Sequence, residues 1–310
     1  MKIILRSILS LCFGACTLLL QGQDLDPRAY TRVPIKGTIV VTGLAFSKGA
    51  VVTDPSIALQ NLKATLQIPS LALARSFGFF GKTSQVLVAL PYAWGQASAD
   101  VNGRPESVTR NGFSDLRLRW SVLFKGAPAM NIRELAKAPH KTILGASLNV
   151  VVPTGQYFNE KLINLGTNRW AFRPELAVSH PFSKKWMIDA YAGIWLFTSN
   201  PSFYPGNTVK TQNPMGAFQA HLSYNVSLRA WVALDLTYYA GGNSELNGKP
   251  SDDRQSNSRI GTTLVVPTGK MSALKFAVST GAIVRSGANF TTVSLGWQQA
   301  FYNMKPKAKQ

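Results

Sequence analysis

The side chains best placed for catalysis are His221 and Ser223, in Phe218-Gln219-Ala220-His221-Leu222-Ser223-Tyr224. Residues two apart in a strand point to one side, so this spacing sets an imidazole beside a hydroxyl, the start of a base–nucleophile pair. Asn225 continues the row. The other histidines, His140 and His180, fall elsewhere along the chain and suggest no triad. The only cysteines, Cys12 and Cys16, lie near the start, so neither a disulfide framework nor a thiolate metal site is expected beyond them. Phosphate-cradling Gly-x-Gly loops are absent, and no cofactor is expected.

A larger set of charged residues alternates with apolar ones. Asp115-Leu116-Arg117-Leu118-Arg119-Trp120 puts one acid and two guanidinium groups on one face, with Leu118 and Trp120 on the other. By the same parity Arg169, Arg173 and Glu175 share a face, and Asp189, His221, Asp235 and Arg259 hold comparable positions in later segments. If the apolar faces meet lipid, all these residues line an interior. An arginine on the lipid side costs roughly 2–4 kcal/mol at the bilayer midplane, which makes the inward orientation the expected one. The arginine excess predicts a modest preference for anionic solutes. The same charges, paired across a narrow lumen, would equally rigidify and plug it.

Alternation of period two defines the elements that carry these residues. It recurs in twelve segments, near 36–47, 58–77, 83–98, 112–125, 140–152, 168–181, 185–198, 213–226, 229–241, 256–267, 272–285 and 289–302. Many are long enough to cross a bilayer at a tilt. One short helical stretch surrounds Ile132-Arg133-Glu134-Leu135-Ala136. Tight turns are expected at Gly78 to Lys82, Pro181 to Lys184, Asn225 to Ser227 and Pro267 to Met271. Long polar loops are expected at Ala99 to Asn111, Pro153 to Thr167, Ser199 to Gln212 and Gly242 to Gln255. Short turns on one rim and long loops on the other belong to an up-and-down outer-membrane barrel with both termini in the periplasm. Two connections depart from the rule: Lys125 to Pro139 is long on the short-turn rim, and Ser286 to Ala288 is short on the other. A soluble sandwich or lipocalin-like barrel also alternates, with its apolar residues facing a core instead. Tyr92, Trp94, Trp120, Trp170, Tyr224, Tyr238, Trp297 and Phe301, near strand ends, would form interfacial girdles in the membrane reading.

The start of the chain reads as an export signal over residues 1–23. Lys2 and Arg6 precede an apolar run from Ile8 to Leu20 that is too short to span a membrane. Gly14-Ala15-Cys16 raises a lipoprotein alternative, which the apolar stretch continuing past Cys16 opposes. Residues 24–310 then form one barrel domain, whose first stretch either hangs in the periplasm or folds into the lumen. The chain carries 33 basic and 14 acidic residues, a formal net charge of +19. No basic run is longer than Lys305 to Lys309, so a lumen and surfaces facing anionic headgroups explain the charge better than nucleic acid.

Several motifs then resemble the outer-membrane barrels grouped as transporters of the phenol meta-degradation pathway. They are Asp24-Leu25-Asp26-Pro27-Arg28-Ala29-Tyr30, Ala89-Leu90-Pro91-Tyr92, Gly112-Phe113-Ser114-Asp115-Leu116-Arg117, Val151-Val152-Pro153-Thr154-Gly155-Gln156-Tyr157 and Asn164-Leu165-Gly166-Thr167-Asn168-Arg169-Trp170, with Pro174-Glu175 after them. The resemblance implies an outer-membrane location and uptake of small, often aromatic, compounds; it supplies no catalytic residues. The expected protein is therefore all-β, a transmembrane antiparallel barrel of about twelve strands. Its expected partners are a small-molecule solute, outer-membrane lipid and, during biogenesis, the barrel assembly machinery. A structural or adhesive barrel with a plugged lumen and a barrel phospholipase-like hydrolase using His221 and Ser223 remain alternatives.

Overall fold

The computed structural model describes residues 25–52, 59–101 and 103–302. The expected export signal lies outside the described residues. In chain order the first elements are β1 (Gly37–Val52), β2 (Leu59–Phe79), β3 (Lys82–Val101), β4 (Arg104–Phe113), β5 (Leu116–Pro128) and the short helix α1 (Ile132–Lys137). Next come β6 (Ile143–Val152), β7 (Ala171–Pro181), β8 (Trp186–Phe197), β9 (Asn200–Phe203), β10 (Thr208–Gln212), β11 (Met215–Asn225) and β12 (Trp231–Gly241). The chain ends with β13 (Ser244–Leu246), β14 (Lys249–Pro250), β15 (Gln255–Pro267), β16 (Ser272–Ile283) and β17 (Gly287–Tyr302).

All but β4, β9, β10, β13 and β14 pair antiparallel in a closed 12-stranded barrel, which β1 and β17 seal from Gly37 opposite Tyr302 to Val52 opposite Gly287. The twelve alternating segments correspond to these strands, and the four tight turns fall where expected. Pro267 ends β15, and Val152, just before Pro153, ends β6, since proline donates no ladder hydrogen bond. The α1 helix forms where the helical stretch was expected, capped by Asn131, whose side chain accepts from the Arg133 and Glu134 amides.

The outer loops correct the expectation in two places. Ala99 to Asn111 is no loop: β3 and β4 continue as a hairpin above the barrel, in register from Tyr92 opposite Phe113 to Val101 opposite Arg104. Above the bilayer neither face of a strand must be apolar, so its alternation carried no amphipathic mark. Ser199 to Gln212 and Gly242 to Gln255 likewise contain β9, β10, β13 and β14, which form a second, 4-stranded sheet.

Burial decides between the membrane barrel and the soluble alternative. On β8 Asp189, Tyr191 and Trp195 are buried while Ile188, Ile194 and Leu196 are exposed. The pattern is the same on β11, where His221 and Ser223 are buried and Phe218 and Leu222 exposed. Polar groups inside and large apolar groups outside suit only a hydrocarbon surrounding, where a closed barrel satisfies its backbone internally. The chain is an outer-membrane barrel. Its girdle aromatics pair along the outer surface, with ring centroids 5.2 Å apart for Tyr92 and Phe113 near one rim and 4.8 Å for Trp186 and Tyr224 near the other.

Candidate functional site

The lumen contains protein from both ends. From the short-turn rim the segment before β1 turns inward and lies against the inner faces of β5 to β8. Tyr30 is fully buried there, its hydroxyl 2.7 Å from Ser147 Oγ and donating to Glu175 Oε1 at 2.8 Å. Its ring meets Tyr191 edge-on at 4.9 Å and carries the Arg119 guanidinium at 4.7 Å. Gly145 makes the slot possible, because a Cβ there would stand 2.7 Å from the Tyr30 ring. The Ala29 amide donates to Tyr191 Oη at 3.2 Å and the Arg28 amide to Asp189 Oδ2 at 3.3 Å, while the Arg28 guanidinium stacks on Trp231. Asp26 reaches Arg119 at 3.2 Å and Lys275 at 3.3 Å. Lys275 is on β16 and Arg119 on β5, so Asp26 ties together the two flanks of the wall formed by β17, β1, β2 and β3.

These contacts set the charge of the segment. Burial pulls the Asp26 carboxyl upward, but Lys275 and Arg119 outweigh it and hold the group below its ordinary range. Burial lowers the Arg28 guanidinium to about 10 against the pull of Asp189, so it stays charged at neutral pH. Beside the segment a cavity of about 850 Å³ opens toward the short-turn rim. Its back wall is apolar, formed by Ile39, Val41, Ala72, Ala74 and Leu87, and its flanks are cationic, with Arg28, Arg119 and Lys275.

Of the interior residues expected from sequence, Arg119, Arg173, Glu175, Asp189, His221 and Asp235 gather around this segment. Glu175 takes ion pairs from Arg173 at 3.4 Å and from Arg119 at 3.9 Å. His221 Nδ1 lies 2.7 Å from Asp235, which also accepts from Thr263 Oγ1. Ser179 donates to Asp189. Arg117 is half-buried on the face of Arg119. Arg119 and Arg173 are thus answered by carboxylates, as the paired alternative expects.

Three expected residues stand apart at the outer end. Asp115 is a latch: its carboxylate accepts from the Gly155 amide at 2.9 Å, the Thr167 amide at 2.8 Å and Thr167 Oγ1 at 2.6 Å. It pins the 153–170 connection inward, so that Leu165 packs with Leu66, Ile68, Ala93 and Phe290 across the mouth. Arg169 bonds Gln212 and stacks on Phe197 beneath the outer sheet. Arg259 donates to Ser279 Oγ and Phe290 O, fixing β15 to β17. Asp26, Arg28, Tyr30, Tyr191 and Lys275 were missed as interior residues. The first three lie in an aperiodic stretch that stood out only as part of the Asp24 to Tyr30 motif.

Comparison with known proteins follows this geometry. The sequence model of the family described as "Putative MetA-pathway of phenol degradation" matches residues 47–297. The chain belongs to this family. Among solved structures it is similar to an outer membrane channel from Pseudomonas putida F1, at 22% identity and a TM-score of 0.76, covering 90% of this chain and 100% of that one. It also resembles the β domain of the Bordetella autotransporter BrkA at 12% identity and a TM-score of 0.52, covering 86% and 100% of the two chains. The transport unit of AIDA-I from Escherichia coli is similar at 11% identity and a TM-score of 0.52, covering 90% and 93%. A search of curated protein sequences finds no match.

Proposed function

We propose that this barrel is a gated channel for small amphipathic anions, such as aromatic carboxylates or phenolates. The observation that carries the reading is the inner cavity, whose apolar back wall stands between cationic flanks. A flat ring finds apolar surface on Ile39, Val41 and Leu87, and its anionic group finds Arg119, Lys275 or Arg28. The family's link to phenol degradation fits this substrate class. Arg117, Arg173, Glu175, Asp189, His221 and Asp235 would line the pathway once the Asp26–Tyr30 segment moves; Asp115, Arg169 and Arg259 would hold its outer walls. Both termini would lie in the periplasm, with the 24–310 domain following a removed signal.

The segment itself favours a second reading, a permanently plugged structural barrel. Purified protein in planar bilayers separates the two. A channel gives discrete conductance that benzoate, added to one side, blocks in a concentration-dependent way. Silence under all voltages, with the folded band intact on unheated gels, sinks the channel reading. We read the chain as non-enzymatic, because Ser223 and His221 are both buried in the barrel interior, out of reach of a substrate. Hydrolysis of an activated ester by wild type but not by Ser223→Ala would overturn that.

A further inference from the structure

The turns on the short-turn rim share a composition that the solute pathway does not use. Three of the four tight turns set an exposed apolar tip beside a cation: Phe80 beside Lys82, Phe182 beside Lys184 and Lys185, and Leu228 beside Arg229. Phe80 is 88% exposed and Leu228 104% exposed, so both leave most of their apolar surface uncovered. The remaining tight turn carries exposed Lys270, and the longer connection adds Arg133, Lys137 and Lys141 on and beside α1. Among the described residues Glu134 is the one acid on these turns, Asp26 lying in the cavity mouth between Arg119 and Lys275. The opposite end mixes its cations with Asp100, Glu106, Glu160, Glu245 and Asp252.

Immediately above these tips stands the aromatic belt. Phe182 stacks with Trp186, whose ring lies 4.8 Å from Tyr224, and Lys185 Nζ is 3.3 Å from Tyr224 Oη. Aromatic rings mark the headgroup level of a bilayer, and lysine and arginine beside them extend their charge toward phosphates while the stems stay in apolar surroundings. Apolar tips that stay largely exposed, interleaved with cations that outnumber the acids, fit a layer that is apolar inside and anionic at its surface.

We propose that the short-turn rim is a binding surface for anionic phospholipids of the periplasmic leaflet, and that it seats the barrel in that leaflet. The surface is independent of what passes through the lumen. Each cation near an anionic headgroup layer contributes about a five-fold preference, so several together give selective retention.

The test uses the full mature chain in nanodiscs made from equal amounts of phosphatidylethanolamine and phosphatidylglycerol, followed by native mass spectrometry of the lipids that stay bound. Wild type should retain phosphatidylglycerol about ten-fold over phosphatidylethanolamine. The variant K184Q/K185Q/R229Q/K270Q should fall to about two-fold or less. An outer-end control, K48Q/K63Q, should match wild type, and all three should give the compact unheated band of a folded barrel. Equal retention of the two lipids by wild type, or an unchanged preference in the quadruple variant, overturns the proposal. So does wild type binding isolated peptidoglycan through these residues without any lipid preference. If the quadruple variant fails to fold, the pairs K184Q/K185Q and R229Q/K270Q are measured separately, and each should lose part of the preference.

Discussion

Different physics holds the two segments that enter the lumen from its two ends. At the outer mouth the 153–170 connection is held by buried backbone-to-carboxylate bonds at Asp115 and by Leu165 in an apolar cluster. At the inner end the ion pairs that the 25–31 segment makes through Asp26 are half open to the cavity, the Asp26 side chain being 51% exposed. Buried bonds to a carboxylate and apolar packing resist salt and do not exchange piecemeal. Solvated ion pairs are screened, and an anionic solute competes with them directly. The difference teaches that the outer closure belongs to the fold, and it is why the inner segment is the one proposed as the gate.

The strongest way to break this contrast is Asp115→Ala. Three hydrogen bonds to a charged group disappear and the Thr167 amide stays buried, so a loss of about 3–5 kcal/mol is expected. Urea unfolding in detergent should show it, and trypsin should then cut at Lys161. An unchanged midpoint would mean that the outer closure is as loose as the inner one.

Tyr30→Phe comes next. It removes the bonds to Ser147 and Glu175 without touching shape, at roughly 1–3 kcal/mol. That shifts the gate by about ten-fold toward the open form, read as open probability in bilayers, while the unfolding midpoint barely moves. A large loss of stability instead would make the segment part of the core.

Selectivity sharpens the comparison further. Replacing Arg117 and Arg119 with glutamine should move the anion-to-cation permeability ratio about three-fold toward cations, since Arg119 is already answered by Asp26 and Glu175. The reversal potential in a salt gradient measures it. No shift would place the ion path away from β5.

The smallest effect is that of pH. Asp26 has a depressed carboxyl pKa in the folded segment, so its contribution is present above the unfolded value of about 3.9 and is lost as pH falls through the folded one. Open probability should rise modestly below about pH 4 in wild type and be flat there in Asp26→Asn, which starts slightly more open at pH 7.

How much of this was legible in the sequence follows from where lipid imposes a pattern. Within the bilayer Leu118 and Trp120 must alternate with Arg117 and Arg119, and strand parity alone placed the interior charges. Outside it the constraint lapses, and the β3–β4 hairpin and the small outer sheet read as polar loop. Asp115 kept the right parity but sits where β5 begins, so its partners are loop amides that no periodicity announces. The 25–31 segment has no period at all, and Tyr30 finds Ser147 and Glu175 more than a hundred residues away. Its residues were visible as a motif, but their place in the lumen was not.

The central claim is that the inner segment gates the lumen and the outer connection does not. Single-channel conductance of wild type, of a chain lacking residues 25–31 and of Leu165→Ala, recorded in the same bilayers, tests it most directly. The account predicts a several-fold rise in time-averaged conductance for the deletion and little change for Leu165→Ala. Unchanged conductance in the deletion, or opening by Leu165→Ala alone, would contradict it.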